Sequence, residues 1–446
     1  MGAIARIARG PFAARLHSSS ATTDPLKILY VSQYFPPEMG APAARVAELS
    51  RLWTDAGHEV TVLTGFPNHP TGVVPYEYRH KLWRLACRER MDGINLIRTW
   101  LLPLPNRRPH QRMLNYSSFA LSAASTGMFV SRPDVVIATS PQLLVGAAGY
   151  WLARWKRVPF ILEVRDLWPE SLAAVGVGDQ DSLLYRSLKS LATVLYRGCD
   201  RIVVVTPAFQ DPLIANWGIS PDKIALVENG VDTDLFKPRE TSEIRAALHL
   251  EEKFVVSYIG TLGMAQGLET AVEAAARLQS SSPQILFVFL GEGADKQRIM
   301  SLVRQRNIGN VRFIDQQPRE KIPAYVAASD VCLVPLRKSG LFNAVLPTKL
   351  LEFMACGRAV IVGVDGLARK IVQGANAGVF VEPENAADLA AAISRLADDP
   401  DLCGEFGRNG RRYILQNFTR RQTAETYLRV LEDVTGGELM QATAAA

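Results

Sequence analysis

Short apolar runs separated by amphipathic stretches recur along the whole chain, and their order sets the expected architecture. Ile28 to Val31, Val60 to Leu63, Val135 to Ala138, Phe160 to Val164, Ile202 to Val205 and Ile224 to Val227 are continuous apolar runs of strand length. Between them lie helical stretches. One carries Ala43, Val46, Ala47 and Leu49 on one side and closes at Gly57; another runs from Met113 to Val130, and others lie near 142–156, 182–197 and 207–216. A second series comprises Phe254 to Ile259, a helix keeping Leu268, Val272, Ala275 and Leu278 on one face, Ile285 to Leu290 and a helix near 294–306. It continues with Val311 to Ile314, Val331 to Val334, a helix ahead of Gly357, Val360 to Val362 and Val379 to Val381. Uninterrupted apolar strands alternating with helices predict parallel sheets covered on both faces. The expected fold is therefore α/β, two doubly wound Rossmann-like domains at residues 26–236 and 253–416, with a charged linker from Arg239 to Lys253 and a last helix at 417–436.

A chain of 446 residues is too long for one ordinary core, which agrees with two domains. Its net charge of +6 fits an anionic partner, but the charges are interspersed and form no dense basic block, so nucleic acid is not expected. The cysteines Cys87, Cys199, Cys332, Cys356 and Cys403 are scattered and contain no Cys-x-x-Cys pair, which points away from a disulfide framework or zinc site and toward a reducing cytoplasm. No run of about 18 uninterrupted apolar residues occurs, so no spanning helix is expected. Residues 1–25 contain Arg6, Arg9, Arg15 and Ser18 to Ser20 with no acid before Asp24, and read as a disordered or targeting-like extension. From Lys81 to Arg112, Arg84, Arg88, Arg90, Arg98, Arg107, Arg108 and Arg112 mix with Trp83, Trp100, Leu101, Leu102 and Leu104. That composition beside an apolar helix predicts reversible docking on an anionic membrane surface.

The candidate chemistry centres on Val345 to Ile361. Pro347 suits a first helical position and Gly357 a helix end with positive φ. Unpaired N–H groups at such a start would let Thr348 and Lys349 hold a phosphate, and Glu352, one turn further in, calls for hydroxyls such as those of a ribose. Two glycine loops follow strands in the same half: Gly260, Thr261, Gly263 and Gln266 in one, Gly291 and Gly293 in the other, where backbone could approach a diphosphate. In the first half, the loop Ser32 to Gly40 follows the opening strand, and Asn68 and His69 lie in a turn-rich loop at a later strand end. Glu163-Val164-Arg165-Asp166-Leu167-Trp168-Pro169-Glu170-Ser171 lies just past another strand, and its charges are expected to face a cleft.

The run Lys349 to Ile361 resembles the donor-binding helix of the large retaining glycosyltransferase family that includes sucrose synthases and many bacterial polysaccharide enzymes. Glu228 to Pro238 matches that family where its first domain ends, and Glu163 to Ser171 resembles its N-acetyl-L-fucosamine transferase branch. The resemblance implies a GT-B fold over roughly residues 27 to 435, two domains facing a cleft with the last helix crossing back to the first. It implies that Glu352 holds the donor ribose, that the loop ending at Gly40 lies over the donor phosphates, and that Glu163 to Ser171 line the active site. Arg165 and Asp166 are then expected at the reacting sugar or acceptor, with Glu163, Glu170, Asn68 and His69 on the same side. Three departures stand out: Arg165 where many members have histidine, Thr261 and Gln266 where the family carries an arginine and a lysine, and Ala344 in place of a glutamate. Lys349, with the helix start at Pro347 and Thr348, is expected to supply the missing cation, and Arg337 and Lys338 are the next candidates.

The resemblance implies transfer of a sugar from a nucleoside diphosphate, UDP by expectation, to a saccharide or polyprenyl-diphosphate-linked acceptor with retained configuration. The nucleotide sugar is a co-substrate; no cofactor and no metal are expected, because helix dipoles and cationic side chains stabilise the leaving diphosphate. The expected location is the cytoplasm, peripheral at the inner face of the plasma membrane. Two rivals share the architecture: a nucleotide-sugar 2-epimerase, and a catalytically silent sugar-nucleotide-binding protein to which Ala344 and Thr261 would belong.

Overall fold

In the computed structural model, which describes residues 24–69, 71–105, 108–170 and 182–444, the apolar runs become strands of two sheets. The extension expected at residues 1–25 lies, through residue 23, outside the described residues, as do Arg107 and Ser171. The first sheet contains β1 (Lys27–Val31), β2 (Glu59–Gly65), β3 (Ala86–Met91), β4 (Ile94–Thr99), β5 (Val135–Thr139), β6 (Phe160–Val164), β7 (Arg201–Val204) and β8 (Ile224–Leu226). Their order is β3-β4-β2-β1-β5-β6-β7-β8, parallel throughout except for β3 against β4. The second sheet, β9 (Phe254–Ile259), β10 (Ile285–Leu290), β11 (Val311–Ile314), β12 (Val331–Pro335), β13 (Ala359–Gly363) and β14 (Gly378–Phe380), is wholly parallel in the order β11-β10-β9-β12-β13-β14. Strand order reverses between β1 and β5 and between β9 and β12, and the crevices at the carboxyl ends of such strands are where doubly wound folds take ligands.

Each face of the first sheet has its own apolar layer. Helices Pro109–Gly127, Leu143–Lys156 and Leu183–Gly198 pack with Phe119, Leu152 and Leu195 on one side. On the other, Trp53 of helix Ala41–Asp55 meets Tyr427 of the last helix, Arg420–Ala444, edge to face at 5.2 Å, and its indole N–H donates to the Ala424 carbonyl at 3.1 Å. The last helix is thus part of the first domain's core. The chain leaves and re-enters that domain at one place: Val231 pairs with Thr419, with backbone bonds Val231 N to Phe418 O at 2.9 Å and Arg420 N to Val231 O at 2.8 Å. Gly230 is required there, because a Cβ would stand 2.5 Å from the Thr423 hydroxyl and 2.6 Å from the Thr419 carbonyl.

Three local expectations need correction. The basic stretch after Lys81 contains an antiparallel hairpin, β3 and β4, turned by Asp92 and Gly93, both at positive φ as a two-residue hairpin turn demands. Arg98, one of the cations expected on lipid, is fully buried and bonds Glu89 at 2.9 Å. The expected linker holds a short helix, Ser242–Ala247, and Pro347 caps helix Thr348–Ala355 instead of opening it, because its extended ψ of 125° precedes the first helical turn.

Candidate active site

The second domain's site is built by loops at the carboxyl ends of β9, β10 and β12 around the start of helix Thr348–Ala355. Gly260, at φ +142°, lets the Lys349 ammonium approach so closely that a Cβ on Gly260 would stand 2.8 Å from it. Gly291 and Gly293 answer a different need. A Cβ on Gly291 would lie 2.0 Å from the Gly260 carbonyl, and one on Gly293 2.2 Å from that of Leu262, so these glycines let the two loops pack on each other. Gln266 turns inward and accepts the Gly263 N–H at 3.1 Å, while Thr261 is exposed. Arg337 is also engaged, by Glu269, Glu384 and the Met264 carbonyl, whereas the Lys338 side chain is exposed.

Arg337 lies at the other end of the glycine loop, at Met264 and Gly267, and Lys349 is therefore the cation that the fold brings against Gly260. Its ammonium donates to the Tyr258 hydroxyl at 2.6 Å and lies 3.9 Å from that ring's centre, and Tyr258 donates in turn to the Thr261 carbonyl at 2.6 Å. Among the described residues, no carboxylate reaches it within ion-pair distance. Burial pushes its pKa down to about 7, opposed by the charge of Glu352.

Glu352 accepts Arg319 Nη1 at 3.0 Å, and Arg319 Nη2 donates to Glu48 of the first domain at 2.7 Å. The second oxygen of Glu48 accepts Arg420 Nε at 2.7 Å. Burial raises the Glu352 pKa and Arg319 opposes the rise. Gln316 approaches Met39, so the loop after β11 faces the loop that ends at Gly40, which is exposed.

In the first domain the Glu163 to Glu170 run divides. Glu163 does not face a cleft: it is fully buried, accepting Arg45 Nε at 3.0 Å and the Tyr30 hydroxyl at 2.9 Å. Burial alone would raise its pKa, but Arg45 and then Arg165 bring it below the usual value. Side chains alternate across a strand, so the neighbour after next, Arg165, leaves the sheet's end and lies near Glu163, Arg45 and Arg420. The Arg165 N–H donates to the Ser140 hydroxyl at 3.3 Å, and the Ser140 hydroxyl donates to the Asp166 carbonyl at 3.4 Å. Glu170 is half-buried beside Tyr185 and Tyr196. Asn68 serves the loop itself: its amide donates to the Phe66 carbonyl, its oxygen accepts Asn115, and its N–H, with that of His69, donates to one oxygen of Glu38 at 2.9 Å. Burial pushes Glu38 up to about 7. The His69 ring lies 4.8 Å from Tyr34.

Arg165 and Glu352 thus stand at two ends of one cluster of charges centred on Arg420. Sequence reasoning missed Arg45, Glu48 and Arg51, which fall three apart on helix Ala41–Asp55 and pair with Glu163, with Arg319 and Arg420, and with Asp232. Charges at that spacing on an otherwise apolar helix were the available signal. Arg319 and Tyr258 were missed because nothing local marks them. No group of three or more His, Cys, Asp or Glu side chains placed to hold a metal occurs among the described residues.

Residues 40–230 match the family described as Glycosyl transferase 4-like domain, and residues 240–413 match Glycosyl transferases group 1. The chain is 26% identical over 384 residues to WcaI of Escherichia coli K12, named for a glycosyl transferase of colanic acid biosynthesis, covering 82% of this chain and 91% of that protein. Sucrose-phosphate synthase from Thermosynechococcus elongatus superposes with a TM-score of 0.71 at 22% identity, covering 94% of this chain and 99% of that one. HepE of Anabaena, in complex with UDP and glucose, does so with 0.68 at 17% identity over 92% and 100%. The shared fold is GT-B.

Proposed function

From a chain whose first half belongs to the Glycosyl transferase 4-like domain family and whose second half belongs to Glycosyl transferases group 1, we propose a retaining enzyme that moves a sugar from UDP to a lipid-linked saccharide. The acceptor in this reading is carried on polyprenyl diphosphate during surface-polysaccharide assembly, at the inner face of the membrane. The observation that carries it is the half-buried Lys349 ammonium held against Gly260, one helical turn from Glu352. A diphosphate laid along the Gly260 loop meets that cation and the N–H groups at the helix start, and a ribose then falls to Glu352. The likeness to WcaI supports the polysaccharide acceptor, and the UDP bound in HepE supports the nucleotide.

Bond breaking leaves both electrons of the anomeric C–O bond on the diphosphate, so negative charge grows where Lys349 and the helix start stand. The departing phosphate oxygen accepts the proton of the attacking acceptor hydroxyl, which forms the new glycosidic bond on the same face. Arg165 and Asp166 orient the sugar or acceptor from the first domain.

Thermal shift with UDP, GDP, ADP and TDP tests the donor. A ligand at 100 times its dissociation constant adds about 2.7 kcal/mol of apparent stability. UDP should stabilise the chain more than the others, and Glu352→Gln should weaken it by about 1–3 kcal/mol. A preference for another nucleotide, or an unaltered Glu352→Gln, would sink the assignment. Product from a UDP-sugar without acceptor would indicate epimerisation, and nucleotide binding without turnover of any acceptor a silent binder.

A further inference from the structure

None of the three helices that cover one face of the first domain, Pro109–Gly127, Leu143–Lys156 and Leu183–Gly198, contains an aspartate or glutamate. Their outer surfaces carry the exposed Arg154, Arg186, Lys189 and Arg197. Interspersed with these cations are large apolar side chains that the described residues leave exposed: Leu121 is 73% exposed, Leu183 80% and Trp155 61%. Trp151 and Trp155 stack at 5.8 Å, one helical turn apart, on the solvent side of the middle helix. The opposite layer differs: its helices carry Glu48, Asp55, Glu425, Glu432 and Asp433, and their large apolar residues Trp53, Tyr427 and Leu431 are fully buried.

We infer that this three-helix face docks on an anionic lipid bilayer, lying in the headgroup region without crossing it. No helix among the described residues is long and apolar enough to span. Indoles and leucines between arginines suit the boundary of headgroup and acyl chain, where the apolar body is buried while the charged tip meets phosphate. A second copy of the same face is a poorer occupant, because an isologous contact would set like charges against each other. The face differs from the Lys81 to Arg112 stretch expected from sequence, where Arg98 is buried and Lys81 pairs with Glu89. The inference stands on the helices alone and does not need the donor assignment.

Co-sedimentation of the full chain with phosphatidylcholine vesicles, with and without phosphatidylglycerol, tests it. Binding should require phosphatidylglycerol and be released by high salt. Arg154→Glu with Lys189→Glu should weaken it by about tenfold or more, since each cation near such a surface is worth roughly fivefold. Leu121→Ser with Trp155→Ser should also weaken it, whereas Trp83→Ser with Leu85→Ser should leave it unchanged. All three pairs are exposed, so melting temperature and the UDP-induced shift should stay at wild-type values. Absent binding, binding indifferent to phosphatidylglycerol, or loss only in the Trp83 and Leu85 variant would overturn the inference. So would self-association abolished by the helix variants without any vesicle binding. A missing UDP shift beside intact vesicle binding would defeat the donor reading alone.

Discussion

Arg319 holds Glu352 with one guanidinium nitrogen and Glu48 with the other, at 3.0 and 2.7 Å, so carboxylates of the two domains share one cation. Because burial raises the Glu352 pKa and Arg319 opposes it, Arg319 keeps the carboxylate able to accept hydroxyl hydrogens. Affinity that depends on ionised Glu352 is present above its pKa and is lost as pH falls through it.

Arg319→Met removes the opposing cation, so the loss should begin at higher pH. Titrating UDP-glucose, whose phosphates do not change charge in this range, between pH 5.5 and 8 should show the variant's affinity declining before that of the wild type. Superimposable profiles would mean that Arg319 acts only as a strap between domains.

Lys349 gives a dependence of opposite sign. Its pKa of about 7 leaves it largely neutral at pH 8, and a bound diphosphate favours the cation, so binding above pH 7 must take up a proton. Calorimetry of UDP binding at pH 8 in buffers of different ionisation heat should reveal uptake in the wild type that is absent in Lys349→Met. Turnover of Lys349→Ala should fall by about 2–4 kcal/mol, as on loss of a preorganised donor. Near wild-type turnover would place the diphosphate charge elsewhere, and the exposed Lys338 would be tested next.

Glu163 belongs to the fold. Glu163→Ala leaves the fully buried Arg45 without its carboxylate, and the variant should lose about 3–5 kcal/mol of stability in urea unfolding. A variant as stable as wild type but inactive would return Glu163 to the cleft.

Arg165→Ala and Asp166→Ala should lower kcat while nucleotide affinity stays near normal, because both residues lie in the first domain, away from the Gly260 loop. Parallel losses of affinity and turnover would defeat that separation.

What was legible in the sequence follows from range. Phe160–Val164 and Phe254–Ile259 were readable because a strand buried on both faces is an unbroken apolar run. The β3 and β4 hairpin was hidden because its alternating Arg and Glu look like a solvated basic segment, although Asp92-Gly93 marked its turn. Glu163 was misplaced for another reason: the partner that lets a carboxylate be buried, Arg45, is 118 residues earlier. The link from Arg319 to Glu48 spans 271 residues and has no local trace.

The pairing of Val231 with Thr419 has a consequence for assembly and exchange. Because the last helix completes the first domain's core, the second domain is an insertion within the first, entered and left at two hydrogen-bonded neighbours. Two cuts at that seam would remove the whole second domain and leave the remaining ends side by side, ready for rejoining or for an exchanged second domain.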